Sequence, residues 1–228
     1  MTGPALSVFC DFDGTMTTRD VIQELLTLLA DPSWTEIEAD WEAGRIDSRE
    51  CLARQIPLIR GGWPAIERVL GRVILDPTAA GFAAWCAANA VELVIVSDGL
   101  DRVIAWLLAK ARIQVDAVWA NRLVVGEDGA LSIAFPHPPR ARDCRMGLCK
   151  CRILDQARAH RVVIGDGLSD VCWASQADQC FAKGRLLTLC RAQRIPCETF
   201  KDFAAVQRAL AARLAERSWS TADAPTMR

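Results

Sequence analysis

The chain has 228 residues, 27 basic and 28 acidic side chains and ten cysteines, which is length for one substantial core or for a core with a smaller inserted domain. That charge balance leaves no basic excess for gripping nucleic acid and no acidic tail, so a small ligand is the expected partner. No apolar stretch is long enough to cross a bilayer, and the N-terminus reaches its first strand without a basic leader. The expectation is therefore a cytoplasmic protein with no membrane partner, a monomer or homodimer, whose cysteines are buried thiols rather than disulfides.

Leu6–Cys10, Val91–Val96 and Val162–Ile164 are short runs rich in Val and Ile, each followed at once by acidic, glycine or serine residues. Buried parallel strands that end at a functional edge have this form. Between them, 81–89, 103–110 and 153–159 carry apolar residues three and four apart, which predicts helices on both faces of a sheet. The interval 17–76 differs, holding helical patterns and no convincing strand. Val21, Ile22, Leu25, Leu26 and Leu29 form one apolar face; Ser33 with Glu36 and Asp47 with Glu50 resemble capping boxes; Trp34, Trp41 and Trp63 supply bulk. Residues 118–135 read as a β-hairpin around Gly126-Glu127-Asp128-Gly129, and 201–217 as a final amphipathic helix, with a frayed tail from Ser218. The expected fold class is α/β: a Rossmann-like, doubly wound, mostly parallel sheet over 1–16 and 77–228, a helical cap domain over 17–76, and a β-hairpin.

Four segments carry chemistry: Asp11-Phe12-Asp13-Gly14-Thr15, Ser97-Asp98-Gly99, Lys150, and Gly165-Asp166-Gly167-Leu168-Ser169-Asp170. Together they supply what magnesium-assisted cleavage of a phosphate ester needs. Asp11, at the end of the first strand, is placed to attack phosphorus. Asp13, two residues on, can protonate the leaving oxygen and later deprotonate water. Asp11 and Asp166, with the Asp13 carbonyl, are suitable Mg2+ ligands, and Asp170 could bind through water or orient Lys150. Ser97 and the amides of Asp98 and Gly99 form an expected phosphate cradle. Lys150 stands sixteen positions before Asp166 and is the expected phosphate-binding cation, with Lys183 ranked second among the four lysines.

These segments, in this order, resemble the motifs of the haloacid dehalogenase superfamily of phosphatases, and the resemblance runs from Asp11 to Asp170. It implies an aspartyl-phosphate intermediate on Asp11 and a small phosphorylated metabolite as substrate. The chain departs from the phosphoserine phosphatase branch at Asp98, where two glycines usually follow the serine. Pro136-His137 followed by Cys144, Cys149, Lys150 and Cys151, and the phrase Cys180-Phe181-Ala182-Lys183, are similar to the methionine-salvage branch that acts on 2-hydroxy-3-keto-5-methylthiopentenyl-1-phosphate. His137, Cys144, Cys149 and Cys151 could hold a structural Zn2+ or remain reduced thiols; the other seven cysteines read as packing residues and His160 as a helix-end surface group. By the same resemblance the helical insert closes over the site, with Asp20 and either Arg54 or Arg60 as possible substrate contacts. The alternatives are a phosphatase of phosphoserine or another small phosphomonoester, a phosphotransferase or mutase, and a noncatalytic zinc-binding scaffold.

Overall fold

The computed structural model describes residues 6–137, 145–157 and 159–215. Its seven strands are β1 (Leu6–Cys10), β2 (Glu92–Leu100), β3 (Ala117–Val125), β4 (Leu131–Ala134), β5 (His160–Gly165), β6 (Gln179–Ala182) and β7 (Glu198–Thr199). They form one sheet in the order β4-β3-β2-β1-β5-β6-β7, parallel throughout except for the antiparallel β3–β4 hairpin. The chain winds outward from β1 in one direction through β2 and β3, then returns to the other side through β5, β6 and β7. β1 therefore sits where the winding reverses, and a crevice opens at the carboxyl ends of β2, β1 and β5.

The alternation of side chains along the strands divides the interior in two. Leu6, Val8 and Cys10 of β1, with Leu93, Ile95, Val162, Ile164 and Phe181, face one cluster. Phe9, Val94, Val96, Val163, Cys180 and Ala182 face the other. α5 (Ala79–Ala88), α6 (Asp101–Ala111) and α10 (Phe203–Ala215) cover the first side. α7 (Lys150–Leu154), α8 (Val171–Ala174) and α9 (Gly184–Gln193) cover the second. The doubly wound, mostly parallel sheet expected from the sequence is the one observed.

Between β1 and α5 lie α1 (Val21–Leu29), α2 (Trp34–Glu42), α3 (Ser48–Gln55), a 3₁₀ turn (Ile56–Leu58) and α4 (Gly62–Leu70). Val21, Ile22, Leu25 and Leu26 of α1 are buried, as their spacing required. An isolated antiparallel bridge between Thr17 and Leu75 draws the two ends of this segment together. Lys110 is not simply a solvated helix end: its Nζ donates to the carbonyls of Leu70 (3.2 Å) and Gly71 (2.7 Å), capping α4 from the core helix α6. Arg102 of α6 stacks on Trp63 of α4, 3.9 Å from guanidinium carbon to ring centre.

Several local expectations are corrected. Asp47 caps α3 by accepting from Glu50 N (2.8 Å), but Ser33 makes no such cap. Its hydroxyl donates to Asp31 (2.9 Å) and its backbone is already helical. The helix expected over 153–159 runs Lys150–Leu154 instead, because the chain must turn back to enter β5 at His160. His160 is therefore the first residue of β5, paired with Leu6, rather than a helix end. Cys172 is exposed and Cys197 half-buried, so neither is a fully buried packing residue. The final helix starts at Phe203 rather than 201 and is described through Ala215; its expected end at 217 and the tail from Ser218 lie outside the described residues. No helix among the described residues is long and apolar enough to cross a membrane.

Two outcomes test this packing. Phe203 is fully buried and tilts against Phe82 at 5.3 Å between ring centres, joining α10 to α5. Phe203→Ala should cost about 3–5 kcal/mol, lowering Tm by roughly 10 °C in thermal denaturation. At the start of β5, Arg161 donates from its backbone N and its guanidinium to both oxygens of Asp178. Partial burial raises the Asp178 carboxyl, but these bonds outweigh it and hold it below the usual carboxylate range. Its stabilising contribution is therefore present above the unfolded pKa, roughly 4, and lost as pH falls through the folded value. Asp178→Asn should destabilise at pH 7 by at most about 1 kcal/mol, and less at pH 3. Melting curves at the two pH values measure the difference.

Candidate active site

Asp11 follows β1 directly, and its backbone N donates to Ile164 O of β5 (2.9 Å), so the residue is held between two strands at the crevice. The chain then turns at Gly14, whose φ is +74° and where a Cβ would lie 2.5 Å from Asp166 Oδ2. Only glycine fits that approach between the first and last motifs. Thr15 clamps the same pair, donating from Oγ1 to Asp166 Oδ1 at 2.5 Å.

Lys150, the first residue of α7, is 1% exposed. Its Nζ lies 2.8 Å from Asp11 Oδ1 and 2.7 Å from Asp170 Oδ1. Burial alone would lower the Lys150 pKa, but Asp11, Asp170 and Asp98 raise it well above the ordinary lysine value, so the ammonium is held charged. Asp170 is itself saturated. Oδ1 accepts from Lys150 and from Trp173 Nε1 (3.0 Å), while Oδ2 accepts from Asp166 N (3.1 Å) and Gly167 N (3.0 Å).

Asp13 is turned by the insert as much as by the core. Its Oδ1 accepts from Val21 N at the start of α1 (3.0 Å), and Oδ2 lies 3.4 Å from Ser97 Oγ. Burial, then the charge of Asp20, raises its pKa to about 7. Ser97 is buried and accepts from Gly99 N (3.0 Å). A Cβ at Gly99 would sit 2.5 Å from Asp13 Oδ2, so the absence of a side chain leaves Asp13 its place. The four segments therefore meet at one sheet edge.

The carboxylate of Asp98 turns instead to the loop before α7, accepting from Leu148 N (2.5 Å) and Gly147 N (3.3 Å), with Ser48 Oγ of α3 at 3.3 Å. Asp20 caps α1 by accepting from Gln23 N (2.9 Å) and lines the cleft beside Asp13. Arg54 is not among the lining residues; it pairs with Glu50 (3.5 Å) and Asp40 (3.9 Å) on the surface, and Arg60 pairs with Asp31 (2.7 Å). Lys183 donates from Nζ to Thr15 O (3.0 Å), supporting the first turn.

Burial and Asp170 raise the Asp11 carboxyl despite Lys150, and burial raises Asp166 as well. An excess of buried carboxylate over cation is the electrostatic demand a divalent ion meets. Asp11, Asp166 and Asp170 offer oxygens within 4.8 Å of one another, the one such group of His, Cys, Asp or Glu among the described residues. Since Asp170 already accepts four hydrogen bonds, Asp11 and Asp166 are the carboxylates better suited to direct ligation. His137, Cys149 and Cys151 form no comparable group, and Cys144, the remaining candidate zinc ligand, lies outside the described residues. His137 packs edge-on against Trp119 and Cys149 is the N-cap residue of α7. Cys151 hydrogen-bonds Cys172 and lowers that thiol to about 7.

Above these charges lies a cleft of about 530 Å³. Its floor is Asp11, Asp13, Ser97 and Asp166, and its opposite wall is Ile22, Leu26, Trp34, Trp41 and Leu52 from the insert, with Met146 from the core loop. Glu38 and Gln55 give that wall a polar spot, Gln55 Nε2 donating to Glu38 Oε2 at 2.7 Å, and Arg19, Asp20 and Gln23 of the insert and Arg185 of the core also line the cleft. Gln55 had no distinguishing signal in the sequence; a buried amide on the inner face of α3 shows only once α2 is packed against it.

Residues 8–175 match the family model of the haloacid dehalogenase-like hydrolases. Among curated relatives, a 2-hydroxy-3-keto-5-methylthiopentenyl-1-phosphate phosphatase of Geobacillus kaustophilus is 30% identical over 87% of this chain and 92% of its own. One of the same name from Brevibacillus brevis is 28% identical over 90% and 95%. A solved phosphoserine phosphatase from T. onnurineus shares the fold at TM-score 0.67 and 19% identity, covering 91% of this chain and 94% of that one. With its motifs gathered at one sheet edge and the family pattern spanning most of its length, the chain belongs to the haloacid dehalogenase-like hydrolase family.

Proposed function

We propose that this phosphatase is magnesium-dependent and hydrolyses a small phosphorylated metabolite through an aspartyl phosphate on Asp11. The observation that carries the reading is the convergence of Asp11, Asp13, Ser97 and Asp166 on a cleft faced from the other side by the helical insert, with the buried Lys150 ammonium 2.8 Å from Asp11. Asp11 and Asp166 would hold Mg2+, which when bound neutralises phosphate charge and orients the ester. The Asp11 carboxylate attacks phosphorus, forming the acyl phosphate as the ester P–O bond breaks. Asp13, raised by burial into the range where a carboxyl can carry a proton near neutral pH, gives that proton to the departing alkoxide. Asp13 then takes a proton from water as its oxygen attacks phosphorus, releasing phosphate and restoring Asp11. Lys150 and Ser97 hold the phosphoryl oxygens, and Asp170 keeps Lys150 aimed at Asp11.

Residues 17–76 act as a cap that keeps bulk water from the site and selects the leaving group. A wall with an apolar and aromatic stretch beside the polar groups Arg19, Asp20, Glu38 and Gln55 suits a short leaving group with both an apolar end and polar substituents. The curated relatives are named for 2-hydroxy-3-keto-5-methylthiopentenyl-1-phosphate, and we take that methionine-salvage compound as the leading substrate. Phosphoserine is the second choice.

Phosphate release from a panel of small monoesters, with magnesium or EDTA, tests the reading. Magnesium-dependent turnover should favour the methylthio substrate over phosphoserine, and Asp11→Asn should reduce it to background. No turnover in folded, magnesium-loaded protein across the panel would overturn it, and transfer to an added alcohol in place of release would make the protein a phosphotransferase. Asp13→Asn should keep the fold while lowering kcat by about 10²–10⁴-fold, the usual share of general acid–base catalysis. The loss should be smaller for esters with good leaving groups such as p-nitrophenol, which need less protonation.

A further inference from the structure

Three elements that the phosphate site needs in register meet at one carboxylate. Asp98 lies between Ser97 and Gly99 at the end of β2, half-buried in the cleft wall. Its oxygens accept from the amides of Leu148 (2.5 Å) and Gly147 (3.3 Å) and lie 3.3 Å from the hydroxyl of Ser48, the first residue of α3. Its own carbonyl accepts from Asn121 Nδ2 of β3 (2.7 Å), which braces the backbone against the pull of the side chain. The loop is held from the other side as well, since Ser48 N donates to Arg145 O (2.8 Å) and the Arg145 guanidinium reaches Gly44 O (3.0 Å). There is no slack in this arrangement. A Cβ at Gly147 would lie 2.9 Å from Asn121 Nδ2 and 3.2 Å from Asp98 Oδ1.

We infer that Asp98 is a positioning residue: through Gly147 and Leu148 it sets the loop that delivers Lys150 to Asp11, and through Ser48 it ties α3 of the insert to the same point. Leu148 is two residues from Lys150, so the Leu148 amide bond fixes the path by which the ammonium enters the buried site. With a charged acceptor the two amide bonds are stronger than neutral ones, and a displacement of about 1 Å in a site of this kind costs on the order of a hundredfold in rate. The orientation also explains how an acidic residue can stand next to a phosphate-binding serine. Burial raises the Asp98 carboxyl, and the Lys150 cation and the amides of Leu148 and Gly147 act against that rise, so the side chain is directed to the loop rather than to the phosphate.

The kinetic part of this inference rests on Lys150 serving the phosphate site; the structural part does not, and two readouts separate them. Amide hydrogen exchange at Gly147 and Leu148 would be compared in the parent chain, Asp98→Ala and the isosteric Asp98→Asn. Exchange should rise about tenfold or more in Asp98→Ala. It should rise less at Leu148 in Asp98→Asn, whose amide oxygen can still accept. With p-nitrophenyl phosphate and magnesium, kcat should fall about 10- to 100-fold in Asp98→Ala and recover partly in Asp98→Asn. Unchanged exchange in both variants, or raised exchange with kcat within twofold of the parent, overturns the inference. Should Asp98→Ala fail to fold, the Asp98→Asn comparison decides by itself. A parent chain with no phosphatase activity counts against the proposed function, while the exchange data still decide whether Asp98 holds the loop.

Discussion

A lysine ammonium buried between two aspartates is the constraint on which the catalytic edge depends. Lys150 is 1% exposed and sits 2.8 Å from Asp11 and 2.7 Å from Asp170. Removing these charges from water is costly, and such a pair adds little net stability compared with an apolar replacement. What it gives is geometry. Asp170, with Lys150 and Trp173 on one oxygen and the amides of Asp166 and Gly167 on the other, links α7 to the turn after β5. The turn brings Asp166 back to Gly14 and Thr15 after β1. Every motif is thus held by a partner from another motif, so that disturbing one displaces the next.

The negative charge left over explains the shape of the rest. Asp11, Asp13 and Asp166 are all raised by burial, and in the function proposed above a divalent cation together with Lys150 would offset their charge as an anionic substrate enters. The insert lines the cleft with Ile22, Leu26, Trp34, Trp41 and Leu52, and its charged side chains there are Arg19, Asp20 and Glu38. In the function proposed above, the phosphate is recognised from the sheet and the leaving group from the helices. Asp13 and Asp98 stand at the joints between these halves, one bonded to the first amide of α1 and the other beside the first residue of α3.

Errors in the sequence reading share a cause. Ser33 looked like a helix cap, but Asp31 competes for its hydroxyl two residues away. Lys110 looked like a solvated helix end, yet it caps a helix forty positions earlier. Arg54 looked available to a substrate and is paired on the surface, while Gln55, its neighbour, turns inward. Each depends on which groups a distant segment brings near, which spacing along the chain does not encode. Trp34 and Trp41 were legible as bulk, but not as the wall facing Asp11.

The sequence by itself determined the sheet, the order of the motifs and the chemistry of their side chains. Strand identity follows from short runs of branched apolar residues, and functional side chains placed directly after such strands must emerge at the sheet's carboxyl edge. Only the tertiary structure decided which donors occupy each carboxylate. Asp11, Asp98, Asp166 and Asp170 are chemically identical residues, and their differing surroundings arise from contacts between segments as far as 151 positions apart. A carboxylate beside Lys150, one closed by four donors and one turned toward loop amides do different work because burial and hydrogen bonding, rather than residue type, set the charge and direction of each.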